Sequence, residues 1–420
     1  MRDRKKRLLE LGKDIVILLL IVSALFLGQQ SGMFNRLRSG IIAPAGGTDG
    51  GVSTGVSAAA APFSVAVVGE SVGGRCGLTY GAARVGEVYE RFSAALGEAL
   101  GSSGEPEPVE ESAWRAALSG PGVYFDYLYD QPLSLLAVWL GTEIDGGAAS
   151  HTARRLCLAL EEDGPALYYV RALYGEYYRC ETALSASAMS ARLQEYPANG
   201  ALFAFELNAD TGVDAYALLE PGLQSYARLT SVNPLRDAAA ISALPGLFGF
   251  SSVRSYSETD ATVFVEGDAT LRVSADGTVN YKCKTGGLAL GAENMSPQTA
   301  AEAARRLCVN GPGASCGAAN LGLSALHYDP ESDSYFICFE YSADGVPVRL
   351  TEGAAAELTV SRGYLTDAVL RYRSYSAEAE SIVPLPREQA LAAADAASGS
   401  ALTLTYVDTM QSVVLQWLTA

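Results

Sequence analysis

Histidine and lysine are scarce in this sequence of 420 residues. The two histidines are His151 and His327, and the only lysines after residue 13 are Lys282 and Lys284. His151 lies in a polar segment and His327 in a strand-like run, so we interpret both as ordinary histidines. The chain has no His-Glu-x-x-His segment, no Gly-x-x-x-x-Gly-Lys loop and no Gly-x-Gly-x-x-Gly after a strand. No catalytic residues are therefore predicted.

Paired cysteines of the Cys-x-x-Cys type are also missing, which removes the commonest zinc and redox signatures. The seven cysteines are Cys76, Cys157, Cys180, Cys283, Cys308, Cys316 and Cys338. Their odd number leaves at least one thiol free or paired between chains, and the sequence does not decide whether any disulfide forms. We predict a chain that folds without a metal or a cofactor.

Long apolar runs are missing except near the N-terminus. Basic residues precede an apolar run from Ile15 to Leu27, and no charge follows until Arg36. A helix over residues 15–35, at about 1.5 Å per residue, can cross a hydrocarbon core about 30 Å thick. The basic flank predicts that residues 1–14 are a cytoplasmic tail. A cleaved signal peptide is the alternative, but the nearest small-x-small site, Ala43-Pro44-Ala45, is distant, and we expect an uncleaved transmembrane anchor.

Charge is distributed unevenly along the chain. Residues 1–38 carry 8 basic and 3 acidic side chains, and the remainder carries 22 basic and 44 acidic ones. Such an acidic body is repelled by nucleic acid, so nucleic-acid binding is excluded. Solubility explains the acidity, and a basic partner is the alternative.

Beyond the anchor, the pattern predicts an α+β protein of antiparallel sheets, each packed by helices. Residues 36–62, rich in glycine, alanine and serine, are expected to be a flexible linker. One helix followed by several strands occurs twice, which predicts an N-terminal α+β domain over residues 63–237 and a C-terminal α+β region over residues 238–420. Helices are expected near residues 86–100, 132–140, 187–194, 238–248, 297–307 and 386–397.

Several segments of the C-terminal half form a layout of aromatic strands and tight turns. They are Ser334–Tyr341 with the hairpin Ala343-Asp344-Gly345-Val346-Pro347-Val348, Gly363-Tyr364-Leu365, Tyr372-Arg373-Ser374-Tyr375, Leu385-Pro386-Arg387-Glu388-Gln389-Ala390, the closing strands with Tyr406 and Trp417, and the turn Tyr256-Ser257-Glu258-Thr259-Asp260. This layout resembles the YycH/YycI regulatory proteins. In that turn the family tends to have glycine where this chain has Ala261. The resemblance covers the anchor and roughly residues 240–420, and it implies cystatin/PepSY-like units in the C-terminal half.

The resemblance implies a non-catalytic regulator in the cell membrane, with its body outside the cytoplasm. Such proteins act on a membrane sensor histidine kinase, and a related regulatory protein is a second expected partner. Within the anchor, Ser23, Gly28 and Gly32 are small residues that let another helix approach closely, which makes them candidate helix–helix contacts. The alternatives are an anchored or secreted cell-envelope enzyme and a module that binds peptide or glycan. Tyrosine-rich strands could line a groove for such a ligand, although packing within a sheet is the simpler interpretation.

Overall fold

The computed structural model covers the body of the protein. It describes residues 58–69, 74–79, 81–171, 174–194, 196–207, 214–222, 224–385 and 402–419. The tail over residues 1–14, the anchor over residues 15–35 and the helix predicted at residues 386–397 lie outside these ranges. Within them, no helix is long and apolar enough to cross a membrane. Thr54–Ala420 group as one compact unit, and the domain boundary at residue 238 stays a prediction.

Six α-helices lie in the described residues. They are α1 (Ala82–Gly101), α2 (Glu111–Ser119), α3 (Leu133–Trp139), α4 (Ala186–Leu193), α5 (Ala238–Leu247) and α6 (Pro297–Asn310). Helix α1 buries Val88, Phe92 and Leu96, which recur every four residues and so share one face. Helix α6 begins at a proline, and the Ser296 hydroxyl before it accepts a hydrogen bond from the Thr299 amide as an N-cap.

Seven strands form the N-terminal sheet. They are β1 (Ser64–Val68), β2 (Arg75–Thr79), β3 (Glu107–Val109), β4 (Gly122–Pro132), β5 (Thr152–Glu161), β6 (Gly164–Arg171) and β7 (Glu176–Glu181). Their order is β2-β1-β4-β5-β6-β7-β3, and each neighbouring pair is antiparallel.

Both faces of the N-terminal sheet are covered. Because side chains alternate along a strand, Phe125 points to one face and Tyr124 to the other. The Phe125 face packs in the large core with α1, α3 and α4. The Tyr124 face packs against Trp114 of α2 and Phe203. The sheet is therefore the middle layer of three.

The segments around the second core form small elements. Strands β8 (Leu202–Phe203) and β9 (Leu218–Leu219) pair as a short two-stranded sheet. The apolar run at residues 201–206 predicts a longer strand, but a 3₁₀ turn follows Phe203 instead. The Glu206 carboxylate accepts a hydrogen bond from the Phe203 amide at 2.7 Å and pairs with Arg75 at 2.6 Å, which stabilises the turn.

Twelve strands form the C-terminal sheet. They are β11 (Arg254–Ser257), β12 (Ala261–Glu266), β13 (Ala269–Ser274), β14 (Thr278–Cys283), β15 (Leu288–Ala289), β16 (Ala319–Asp329), β17 (Ser334–Ala343), β18 (Val346–Leu350), β19 (Ala356–Ser361), β20 (Tyr364–Arg371), β22 (Leu402–Asp408) and β23 (Val413–Thr419). The main order is β11-β12-β13-β14-β20-β19-β17-β18-β22-β23, with β16 beside β17 and β15 beside β20.

The C-terminal sheet forks at β17. Its first half pairs with β19, and its last residues pair with β18. Strands β18 and β22 are parallel, whereas the other named pairs described for this sheet are antiparallel. The hairpin β17–β18 turns at Asp344 and Gly345, both with positive φ, as the Asp-Gly pair predicted.

Helices cover one face of the C-terminal sheet. Phe248 beside α5 stacks on Tyr281 of β14 at 4.8 Å, and buried residues of α6 share a core with Ile337 and Leu358. A separate ribbon pairs β10 (Tyr226–Val232) with β21 (Ser374–Ile382). The predicted α+β class with antiparallel sheets is confirmed, while the anchor helix included in that prediction lies outside the described residues.

Candidate interaction surface

The second face of the C-terminal sheet presents side chains to solvent. One row of register partners crosses the sheet. It consists of Lys282 on β14, Asp367 on β20, Thr359 on β19, Phe336 on β17 and His327 on β16. Their neighbours Tyr281, Ala368, Leu358 and Ile337 are buried on the helix side. In the row itself, Phe336 is 41% exposed and His327 is also exposed. We call this row and the residues beside it the open face.

The open face combines balanced charge with aromatic surface. Lys282 pairs with Asp367 at 3.4 Å. In the neighbouring rows Arg272 pairs with Asp260 at 2.9 Å. The rings of His327 and Phe336 stack with centroids 6.5 Å apart. Mixed polar and apolar surface of this kind is typical of protein–protein contacts that form and dissociate.

The free edge of the C-terminal sheet adjoins the open face. All four residues of β11 are exposed, and Tyr256 among them is 54% exposed. The hydrogen bond from the Glu258 amide to the Ala261 carbonyl, 2.8 Å, closes the turn into β12. Ala261 pairs with Ser274 in a regular strand, so this turn does not require the glycine typical of the family. Such an edge presents unpaired backbone groups that can accept a further strand.

Neither histidine lies in a catalytic arrangement. His151 Nδ1 lies 2.7 Å from the Tyr169 hydroxyl, and its ring packs against Tyr178. Burial and the nearby Arg171 lower the pKa of His151. His327 lies on the open face against Phe336. In the described part of the chain, no three His, Cys, Asp or Glu side chains are grouped as metal ligands.

One sequence signal was missed. The spacing Gly-x-Ser-x-Gly occurs at Gly69-Glu70-Ser71-Val72-Gly73, and again at residues 51–55. In hydrolases with a nucleophile elbow this motif joins a strand to a helix. Here residues 69–73 connect β1 with its antiparallel neighbour β2. That connection does not match the elbow, and Ser71 lies outside the described residues.

The thiols of Cys76, Cys157, Cys180, Cys283, Cys308 and Cys338 are free, and the Cys316 thiol donates a hydrogen bond of 2.8 Å to the Ala319 carbonyl. Cys157 and Cys308 are buried in the two cores. Burial raises the pKa of Cys157 to about 12, so its thiolate form is rare at neutral pH. We interpret the buried cysteines as small apolar residues of the cores.

Most tyrosines of the N-terminal sheet are packing residues. Tyr124, Tyr127, Tyr168 and Tyr169 are buried, whereas Tyr174 is exposed. The buried rings contact neighbouring aromatic residues, as between Tyr124 and Phe203 at 5.0 Å. The packing interpretation is therefore correct for these four residues, and they line no open groove.

A buried ion cluster lies on the Tyr124 face of the N-terminal sheet. Asp126 pairs with Arg154 at 2.8 Å and with Arg155 at 3.2 Å, and Arg155 also pairs with Asp214 at 2.5 Å. Burial alone would raise the pKa of Asp126, but the two guanidinium groups outweigh it and hold the pKa well below its usual range. All four charges are paired, so the cluster supports the fold and leaves no charge for a ligand.

The candidate contact residues in the anchor, Ser23, Gly28 and Gly32, lie outside the described residues. The open face and the edge strand β11 were not predicted as a surface. Which face of a sheet remains uncovered depends on strand order and on where the helices pack, and neither is a property of one segment.

Comparison with known proteins identifies a structural relative. No family model matches the chain. No curated protein matches it in sequence. The crystal structure of YycH from Bacillus subtilis is similar, with a TM-score of 0.56 and 12% sequence identity over 89% of this chain and 96% of that chain. At this identity the similarity shows the fold alone, and the fold is YycH-like.

Proposed function

We propose that this chain is a membrane-anchored extracytoplasmic regulator that modulates a sensor histidine kinase by protein–protein contact. The observation that carries the proposal is the YycH-like fold over 89% of the chain. The resemblance of its C-terminal segments to YycH/YycI regulators supports the same role, because those proteins act on a membrane kinase without catalysing a reaction.

The proposed arrangement has the N-terminus in the cytoplasm, one spanning helix over residues 15–35 and the body outside. Its support is the basic flank and the charge-free window in the sequence. N-terminal sequencing of the mature protein tests it. A mature chain beginning beyond Leu27 would exclude the anchor.

The open face is the proposed contact of the body. Replacing Phe336 with glutamate adds a charge at the centre of the exposed row, where a partner would have to desolvate it. The matched control is Val138→Glu, because Val138 is also an exposed apolar residue but lies on α3. We expect Phe336→Glu to reduce co-purification of a kinase from membranes at least about tenfold, a change equivalent to about 1.4 kcal/mol. Equal recovery with both variants would exclude the open face as the contact.

The spanning helix is the second proposed contact. Gly28 and Gly32 are four residues apart, so they would share one helix face. Gly28→Leu keeps the segment hydrophobic but blocks close approach of another helix. The experiment compares co-purification and kinase output of this variant, of the wild type and of a chain lacking residues 1–38, at equal abundance. Unchanged association and output in Gly28→Leu would leave the body as the contact.

A peptide-binding module is the second candidate function, favoured by the exposed edge strand β11. A peptide added there would gain main-chain hydrogen bonds, and Tyr256 would contact its side chains. Saturable binding of a peptide by the protein, abolished by Ser255→Pro, would support this function over kinase contact.

A further inference from the structure

Strand β4 of the N-terminal sheet contacts β16, an edge strand of the C-terminal sheet. Its pairing with β5 is interrupted between Asp126 and Gln131, and Leu128 within the interruption has a φ of 66°. Gln131 Nε2 donates a hydrogen bond of 3.1 Å to the Leu323 carbonyl of β16. The β16 register shifts at the same place, between Leu323 and Ala325. We call this contact between residues 126–131 and residues 321–325 the seam.

The seam is incompletely satisfied. Gln131 Oε1 is buried and makes no hydrogen bond to the described residues. Buried amide oxygens without a partner are costly, and water would satisfy this one if the seam opened. The unsatisfied oxygen therefore lowers the cost of opening this contact.

Glu340 lies beside the seam at the fork of the C-terminal sheet. Strand β17 pairs with β19 up to Phe339 and with β18 from Tyr341 onward. Glu340 lies between these two pairings. On its other side it opposes Gly322 of β16, which contributes no side chain. Glu340 is half-buried there.

Charged and titratable groups face Glu340 from the surrounding strands. They are Arg349 of β18, Glu357 of β19 and Arg371 of β20, and Tyr129 of β4 faces it across the seam. Arg371 is already paired with Glu357 at 2.6 Å. Burial raises the pKa of Glu340 to about 7, and the negative charge of Glu357 also raises it. Arg349 and Arg371 lower this pKa, but not enough to return it to the ordinary value of glutamate.

We propose that Glu340 makes the seam a proton-controlled hinge between the two sheets. When the carboxyl is neutral, residues 126–131 of β4 lie closed against β16. When it ionises, the half-buried carboxylate gains free energy by contacting water, and this favours the open seam. The pKa of Glu340 is higher in the closed state than in the open state. Protonation therefore stabilises the closed state at low pH, and this stabilisation is lost as the pH rises through about 7.

Hydrogen exchange of the full-length chain in nonionic detergent tests the hinge. For peptides that cover residues 127–131 and 321–326, the exchange rate of the wild type is divided by the exchange rate of the Glu340→Gln variant. Comparing both proteins at one pH removes the intrinsic pH dependence of exchange. We expect a ratio near one at about pH 4, close to the ordinary pKa of glutamate, that rises more than about tenfold by pH 7 and is level above it, because glutamine cannot ionise.

Two variants keep the test specific. Glu331→Gln removes an exposed charge at the tip of the β16–β17 hairpin, and the ratio of wild type to this variant should stay near one. Arg349→Met removes a charge that favours ionised Glu340, so the pH midpoint of opening should move upward. A flat ratio for Glu340→Gln, or an unmoved midpoint for Arg349→Met, would overturn the hinge. Neither outcome bears on the proposed contact with a kinase.

Discussion

Side chains alternate between the two faces in both sheets of this protein, but the sheets differ in how many of their faces are buried. In the N-terminal sheet, Tyr124 and Phe125 are both buried, because helices cover one face and α2 with the segment around Phe203 covers the other. In the C-terminal sheet, Ile337 is buried and its neighbour Phe336 is exposed. The comparison shows that strand alternation alone does not decide burial. The decisive factor is whether another segment packs on the second face.

Charges differ between the two sheets in the same way. The Asp126 and Arg155 side chains of the N-terminal sheet are 9% and 6% exposed, whereas Lys282 and Asp367 of the C-terminal sheet are 72% and 39% exposed. A buried pair must stay intact, because removing one partner leaves an uncompensated charge in the core. An exposed pair can be rearranged at little cost. The Asp126 cluster is therefore suited to stability and the open face to contact.

The largest expected effect comes from the second core of the N-terminal sheet. Trp114 is fully buried and packs against Tyr124 and Tyr216. Trp114→Ala should lower the free energy of unfolding by about 3–5 kcal/mol, since a large cavity remains. Phe336→Ala on the open face should change it by no more than about 0.5 kcal/mol. Urea unfolding measures both, and equal losses would mean that another segment covers the open face.

The next effect compares the two ion pairs. Asp126→Asn removes the carboxylate that Arg154 and Arg155 share, and should lower the free energy of unfolding by about 3 kcal/mol. The control, Asp367→Asn, removes the exposed partner of Lys282 and should cost about 0–1 kcal/mol. The same denaturant titration measures both. A small loss for Asp126→Asn would show that Asp214 compensates both arginines.

Acid should reduce the difference between wild type and Asp126→Asn. The folded pKa of Asp126 lies below its unfolded value of about 3.9, so its contribution is fully present above that value and is lost as the pH falls through the folded pKa. Unfolding curves between pH 6 and pH 2 should converge for the two proteins. A difference that stays constant to pH 2 would assign the loss in Asp126→Asn to packing.

The smallest effect is expected from chelator and reductant. The buried Cys157 and Cys308 thiols are free, and the described residues contain no grouped metal ligands in either sheet. Thermal melts with and without each reagent should coincide. A lower melting temperature with chelator would reveal a metal, and one with reductant would reveal a disulfide.

Local signals in the sequence were sufficient to predict several elements of secondary structure. Helix α1 was predicted from the spacing of Val88, Phe92 and Leu96, and its observed bounds extend the prediction by a few residues. The Asp344-Gly345 turn was predicted from the Asp-Gly pair, and both residues adopt positive φ in the structure. Pro132 was expected inside α3, but it ends β4 and the helix starts at Leu133. Each of these signals lies within a few residues, where propensity and turn chemistry act directly.

Elements that depend on distant partners were missed. Helix α2 has nine residues and buries three of them, so its periodicity is short. Strand β21, Ser374–Ile382, is rich in serine, alanine and glutamate and lacks an apolar alternation. It is a strand because β10 pairs with it. The open face was missed for the same reason, since strand order and helix placement determine it.

The ribbon of β10 and β21 also has a consequence for the order of folding. Arg228 and Glu380 pair across it at 2.8 Å, although 152 positions separate them in sequence. Closing so long a loop is entropically costly until the intervening strands have shortened it, and contacts of this range form slowly. Strand β10 therefore waits for its partner until β11 to β20 have folded. During that interval we expect its unpaired edge to be exposed to aggregation and to a chaperone.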